Sequence, residues 1–301
     1  MYICIKNSMQ YLIYLVIYPF LWIISILPFR LLYIFSDCVY VLVYYILGYR
    51  KKTVKSNLKK ALPHLSEKER YSIEKKFYHH MCDMFLEMIK TMSISQKEME
   101  KRFQFTNLDL YLDIEKKEKS IAILIGHYAT YEWVISMNFK ISYKGYAIYK
   151  QLANLHFDKL VKDIRSKFKA YLITTKETAS TIEENAKAGI LGIYGFASDQ
   201  TPRRSDNMYW STFMGIETPI HIGAESLAKK YDLNMVYLKV KKVKRGYYEA
   251  TFELLSDNVK SIPDYKISEL FMQKVEQQIL EAPEYYLWTH KRWKHKKTTK
   301  P

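Results

Sequence analysis

His127 and Glu132 are the residues whose types and spacing most directly suggest chemistry, in the stretch IAILIGHYATYEWV that runs from residue 121 to 134. An imidazole titrates near neutrality and is suited to taking a proton there. A carboxylate against its other ring nitrogen would orient the ring and stabilise the imidazolium that forms. On one continuous helix, residues five apart stand about 140° out of line. The pair therefore meets only if His127 lies on a loop between a strand and a helix, a loop that Gly126 permits. Read alone, the same spacing also fits an ordinary strand-loop-helix junction.

Other residues invite weaker readings. FYHHMCDMF (77–85) brings His79, His80, Cys82 and Asp83 together, but Met81, Met84 and Phe85 among them point to packing rather than to a metal. No nucleophile elbow supports serine chemistry. Asp199 and Gln200 follow a strand-like run, LGIYGFASDQ, where site residues of an open α/β sheet gather; a turn or helix cap is the plain alternative. Lys150 closes another strand and offers an ammonium to an oxyanion or phosphate, as would backbone N–H groups at a helix start. Asn154, Asp158 and Arg165 lie on or near one helix and fit a charged surface nearly as well as a substrate site. Trp288 suits a structural role; His290 is open.

These residues need elements to hold them. Residues 121–125, 145–149, 171–174, 190–194, 234–242 and 247–254 read as strands. Residues 51–62, 66–92, 131–139, 155–168, 177–187, 221–230 and 265–281 read as helices, with Ser66 and Glu69 in capping-box spacing. The alternation predicts an α/β fold: a mostly parallel, mixed central sheet flanked by helices, with an antiparallel pair late in the chain.

The amino-terminal part differs. YLIYLVIYPFLWIISIL (11–27) carries no charge and is long enough to cross a hydrocarbon core of roughly 30 Å at about 1.5 Å per residue. Pro19 would kink it. No small-residue cleavage site follows, which argues against a signal peptide. A second apolar stretch, 31–49, contains Asp37 and fits a hairpin at the interface or on the domain better than the alternative, a second span. Lys6 alone precedes the first stretch, whereas Arg30, Arg50, Lys51, Lys52, Lys55, Lys59 and Lys60 follow it. The positive-inside rule then places the bulk of the chain in the cytoplasm. The expected division is an anchor and apolar hairpin over 1–49 and a folded domain over 50–301.

The net charge is +16, which calls for an anionic partner such as a membrane surface or a phosphorylated substrate. No nucleic-acid reader motif accompanies it. Hydrophobic residues at 49% and charged residues at 26% exclude a disordered chain. The three cysteines, Cys4, Cys38 and Cys82, offer neither a disulfide framework nor zinc spacing.

Several blocks in order resemble the late lipid A acyltransferases (lauroyl and myristoyl transferases), within the wider His-x4-Asp/Glu acyltransferase group. YRKKTVKSNLKKALPHLSEKER follows the anchor as that family's Asn-Leu and Pro-containing segment does. GHYATYEW is similar to its Gly-His…Glu block, and YKQLANLHFD takes the place of its Tyr-Arg-Pro…Asn…Asp block. DQTPRR, STFMGIETPIHIGAESLA and APEYYLWTHKRWK resemble its later segments. Lys150 and Gln151 depart from the usual Arg-Pro, and the usual glycines after Asp-Gln are absent, which bears on the substrate.

The resemblance implies a glycerolipid acyltransferase-like fold with an N-terminal transmembrane helix. It implies a bacterial inner-membrane enzyme with its catalytic domain in the cytoplasm, moving a fatty acyl chain from acyl carrier protein or acyl-CoA to a hydroxyl of a lipid A precursor. Anionic membrane lipids and a lipid acceptor would be its partners, with no nucleic acid, metal or cofactor. His127 and Glu132 would be catalytic, and Lys150, Asp199 and Gln200 would bind substrate. Another lipid acceptor, or a non-catalytic lipid-binding protein of the same fold, are the alternatives.

Overall fold

The structure, a computed structural model, describes residues 2–205 and 208–295, and residues 2–8 by backbone alone. The end of the basic tail lies outside the described residues. The chain begins with helices α1 (Tyr2–Ile26) and α2 (Phe29–Val41), the latter prolonged by a π-turn over Leu42–Ile46. Helices α3 (Lys51–Ala61), α4 (Glu67–Lys90) and α5 (Gln96–Arg102) lead to strand β1 (Phe103–Phe105) and helix α6 (Leu108–Glu115). Then come β2 (Ile121–Ile125), a 3-10 helix (Tyr131–Phe139), β3 (Lys144–Tyr149), α7 (Leu155–Ser166), β4 (Tyr171–Thr174), α8 (Thr178–Lys187) and β5 (Gly192–Ala197). A hairpin of β6 (Trp210–Phe213) and β7 (Ile216–Pro219) precedes α9 (Gly223–Tyr231), β8 (Asn234–Lys244), β9 (Tyr247–Ser256) and α10 (Lys266–Glu281).

Seven strands form one sheet in the order β1-β9-β8-β2-β5-β3-β4. Every pairing in it is parallel except β8 with β9. The fold is therefore α/β with a mostly parallel central sheet flanked by helices. Strand β2 lies between β5 and β8, and its residues Ile121 to Leu124 are all buried. A strand covered on both faces needs a continuous apolar run, not an alternation, and IAILI supplies one. Because β2, β5 and β3 are parallel neighbours, the loops after Ile125, Ala197 and Tyr149 open at the same edge of the sheet. That edge gathers His127, Asp199 and Lys150.

Local signals explain most helix starts. The Ser66 side chain accepts from Glu69 N and the Glu69 carboxylate accepts from Ser66 N at 2.7 Å, a reciprocal cap for α4. Asn154 caps α7 by accepting from His156 N at 3.0 Å. The β8–β9 turn holds Gly246 at φ +74, and a Cβ there would meet the Tyr33 hydroxyl, so α2 lies directly over this turn.

Helix α1 runs unbroken through Pro19. Both ends of its apolar run touch the domain. Gln10 O accepts from Asn154 Nδ2 at 3.1 Å, and Leu27 O, just beyond the helix, accepts from Lys90 Nζ at 2.8 Å. Leu12, Val16, Phe20 and Ile23 form one outward stripe, each more than half exposed. Residues 9–26 and 29–46 are both apolar and long enough to cross a membrane. Yet α2 turns a polar face to the domain: Ser36 donates to Asp83 (2.8 Å), Tyr33 donates to Glu87 (2.8 Å), and Asp37 accepts from Arg245 (2.6 Å). Its other face exposes Leu31, Ile34, Phe35 and Val41.

The cluster at 77–85 is occupied by protein groups. Arg245 donates to Asp83 and Asp37, His79 bonds Asp37 at 2.9 Å, and Lys242 stands 3.7 Å from Asp83. Among the described residues no set of His, Cys, Asp and Glu side chains converges as a metal site.

Candidate active site

His127 sits on the loop between β2 and the 3-10 helix, as its spacing from Glu132 predicted. Gly126 has no left-handed φ, and a Cβ on it would meet Val275 only at an ordinary 3.5 Å. The left-handed residue is Ala129, at φ 49 and fully buried. That conformation costs an alanine roughly 1–2 kcal/mol, so the surroundings must hold it. They do so through the carboxy-terminal segment. Ala129 N donates to Tyr285 O (2.9 Å), Leu287 N donates to His127 O (3.1 Å), and the Tyr128 hydroxyl donates to Ala282 O (2.8 Å).

The imidazole Nδ1 lies 2.6 Å from Asp199 Oδ1, which also accepts from the His127 backbone N at 3.1 Å. A carboxylate can only accept, so Nδ1 carries the proton and Nε2 presents its lone pair. Asp199 is fully buried, whereas the ring keeps an exposed edge. Tyr131 packs against that ring at 4.8 Å. Burial pushes the His127 pKa down, but the charge and hydrogen bond of Asp199, with a smaller contribution from Glu132, raise it above 6.5 overall. Burial would raise Asp199, and the paired imidazole and backbone N–H outweigh it, so its carboxyl is held below the usual range.

Glu132 is not the partner that the sequence suggested. Its carboxylate accepts from Arg165 Nη2 on α7 at 2.7 Å. The intervening loop ends before Tyr131, where the 3-10 helix begins, and Glu132 meets α7 while Asp199, two residues past β5, reaches Nδ1. Asp199, expected as a substrate ligand, thus fills the orienting position. Gln200 beside it is half-buried, and Lys150 is exposed at the end of β3. Asp158 is buried and accepts from Leu152 N (2.9 Å) and the Tyr149 hydroxyl (3.2 Å), fixing the loop that carries Lys150.

Two further histidines surround Asp199. His290 Nε2 accepts from Thr201 N at 3.2 Å, and burial pushes this imidazole down to about 4, so it stays neutral. His221, which the sequence reading did not single out, interacts with Asp199, Arg292 and His127. Desolvation first and Arg292 second lower its pKa. Only its place in a block before α9 could have flagged it. Arg292 is buried, donating to Thr218 Oγ1 (3.0 Å) and Pro219 O (3.1 Å). Asn57 Nδ2 donates to Trp288 O (2.8 Å) and His290 O (2.7 Å), so two distant sequence blocks close the back of the site together. Trp288 is fully buried.

A family comparison matches residues 5–295 to the bacterial lipid A biosynthesis acyltransferases. The chain belongs to this family. The match spans both apolar helices and the whole sheet, so the His127 loop, the Asp199 loop and the Trp288–Lys294 segment all fall inside the acyltransferase match. Comparison with curated proteins finds no match. Within this acyltransferase, the edge of β2, β5 and β3 is where an imidazole with a free Nε2 meets solvent.

Proposed function

We propose that the chain moves a fatty acyl group from a thioester, on acyl carrier protein or coenzyme A, to a hydroxyl of a lipid A precursor. The observation that carries this reading is the 2.6 Å bond between His127 Nδ1 and buried Asp199, which leaves Nε2 as a base. As the acceptor oxygen attacks the thioester carbonyl, Nε2 takes the hydroxyl proton. Asp199 stabilises the imidazolium so formed. Collapse of the tetrahedral intermediate breaks the C–S bond, and the thiolate leaves with the proton that Nε2 returns. Donors for the oxyanion come from the unpaired N–H groups of the first turn of the Tyr131–Phe139 helix, or from Lys150. Tyr128 N and Ala129 N are already committed to Gly126 O and Tyr285 O.

The acceptor would arrive from the membrane plane. The outward faces of α1 and α2 supply apolar contact, and Lys52, Lys55, Lys59 and Lys60 on α3 are exposed to meet anionic headgroups at about 1 kcal/mol each. We place the outward faces of these helices in the inner membrane with the sheet on the cytoplasmic side, where the basic residues that follow residue 30 meet anionic headgroups.

The test uses full-length protein in detergent, a labelled acyl thioester and a lipid A precursor. Transfer of label to the lipid is expected, and a folded His127→Ala protein should not transfer it. Transfer undiminished in that variant would overturn the assignment.

A further inference from the structure

Apart from the His127 site, an open cavity of about 510 Å³ is lined in part by Tyr285, whose carbonyl accepts from Ala129 N on the His127 loop. Tyr40 of α2, four residues of α4 (Lys75, Lys76, His79 and His80), Lys242 of β8, and Glu284 with Tyr285 line it, and it is open to solvent. Neither His127 nor Asp199 lines it, and the catalytic reading gives it no task. Three lysines and two histidines face one carboxylate among these residues. Lys76 stands 3.9 Å from Glu284, at the limit of an ion pair. Among the described residues no carboxylate lies within ion-pair distance of Lys75, whose ammonium sits 4.8 Å over the Tyr71 ring. The nearby carboxylates Asp37 and Asp83 are both bonded by Arg245.

Lys242 is the buried member. Its ammonium donates to His80 Nδ1 at 3.0 Å and stands 3.7 Å from Asp83. Burial, then the neighbouring ammonium, keeps His80 neutral. A cavity with this lining recognises a multivalent oxyanion, and charge-assisted N–H···O⁻ bonds to a phosphate are the fitting contacts.

Position identifies the source. Tyr40 belongs to the helix whose outer face exposes Ile34, Phe35, Val41 and Leu42. Tyr45 and Tyr71 are exposed beside the cavity, the first packed against Tyr40 at 5.9 Å and the second under the Lys75 ammonium. Tyrosines in that band mark the level at which hydrocarbon gives way to headgroups.

We propose that this cavity binds the phosphate of an anionic phospholipid headgroup, at a site separate from His127. The acyl chains of that lipid lie along the outer face of α2. Tyr285 forms the wall shared with the catalytic loop, since its ring contacts His80 at 4.8 Å and its carbonyl accepts from Ala129 N. The site stands whether or not the acyltransfer reading of His127 holds, because its test reads binding.

The experiment uses full-length protein in a non-ionic detergent with 15N-labelled histidine. His79 and His80 resonances are assigned by His79→Gln and His80→Gln. Dihexanoyl phosphatidylglycerol should shift both resonances saturably, whereas dihexanoyl phosphatidylcholine should not. The double variant Lys75→Gln/Lys76→Gln, at a half-buried and an exposed position, should bind phosphatidylglycerol at least roughly tenfold more weakly, since the loss of even one charged hydrogen bond has that effect. His127→Ala should bind as the parent does. Phosphatidylglycerol that leaves both imidazoles unmoved, or binds the double variant equally well, overturns the proposal. Inorganic phosphate binding as tightly as the lipid would make this a site for soluble phosphate and overturn the lipid assignment.

Discussion

The Glu132 carboxylate accepts a 2.7 Å hydrogen bond from Arg165, and this ion pair joins the helix after the His127 loop to α7. The carboxylate on His127 is Asp199, seventy-two residues further along the chain. The two acids therefore differ in place: Asp199 bonds Nδ1 and fixes the tautomer of the imidazole, whereas Glu132 bonds α7 and adds to the negative field around the ring.

His127→Ala and Asp199→Asn should separate base from orienting group. Loss of the base should lower turnover by about 10²–10⁴-fold. Asn at 199 can offer an N–H where Nδ1 needs an acceptor, favouring the wrong tautomer, and a loss approaching about 10⁴-fold is expected. Steady-state rates checked against unchanged far-UV circular dichroism test this. Near-normal turnover in Asp199→Asn would remove the orienting role.

The pH profile carries a sign that distinguishes Glu132 from Asp199. The base works only when neutral, so kcat/KM should fall as pH drops below a His127 pKa that stands above 6.5. Glu132→Gln removes a negative charge that favours the imidazolium. The pKa should then fall and the acid limb should move to lower pH, with the plateau rate retained within a few-fold. A plateau loss as large as that of Asp199→Asn would show that Glu132 acts on the imidazole directly.

Much of this was legible in the sequence, and the exceptions have physical causes. Strands such as IAILI and helices such as 66–92 carry their own signals: an unbroken apolar run for a doubly covered strand, and a reciprocal cap at Ser66 and Glu69. The short β6–β7 hairpin and β1 escaped notice because three or four residues carry no readable period. The His127 loop was placed by spacing, but its partner was not. Which acid reaches Nδ1 depends on β5 lying beside β2, a non-local pairing that no spacing near His127 records. The left-handed turn at Ala129 left no mark in the sequence, because it is backbone bonds with Tyr285 and Leu287, far along the chain, that hold the loop. His221 and Arg292 join the site for the same reason: distant segments close over Asp199.

Lys150 lies exposed at the edge that also carries His127, free to meet a charged part of the substrate. A contact made equally in ground and transition states changes KM and leaves kcat. Lys150→Met should raise KM for the phosphorylated substrate by roughly tenfold, one charged hydrogen bond, and Lys150→Arg should restore most of it. Equal KM and equal kcat values for all three proteins would place the lysine outside the site, whereas a loss of kcat alone would assign it to the oxyanion.

The last prediction concerns how α1 meets the membrane. Gln10 and Leu27 both bond to the domain, and the helix between them spans about 25 Å at 1.5 Å per residue. A full crossing with those contacts intact would draw the exposed lysines of α7, Lys159 and Lys162, into hydrocarbon. Lying along the domain with Leu12, Val16, Phe20 and Ile23 outward, α1 would bury its stripe in lipid and keep both ends on one side. The chain should therefore resist extraction by high salt, because apolar burial is not screened. A cysteine placed at Asn7 in intact cells should be shielded from a membrane-impermeant maleimide added outside, and should react once the inner membrane is opened. Labelling from outside in intact cells would mean that α1 crosses the bilayer and that its contacts with Asn154 and Lys90 are broken in the membrane. Release by salt alone would mean instead that the stripe is not buried in lipid.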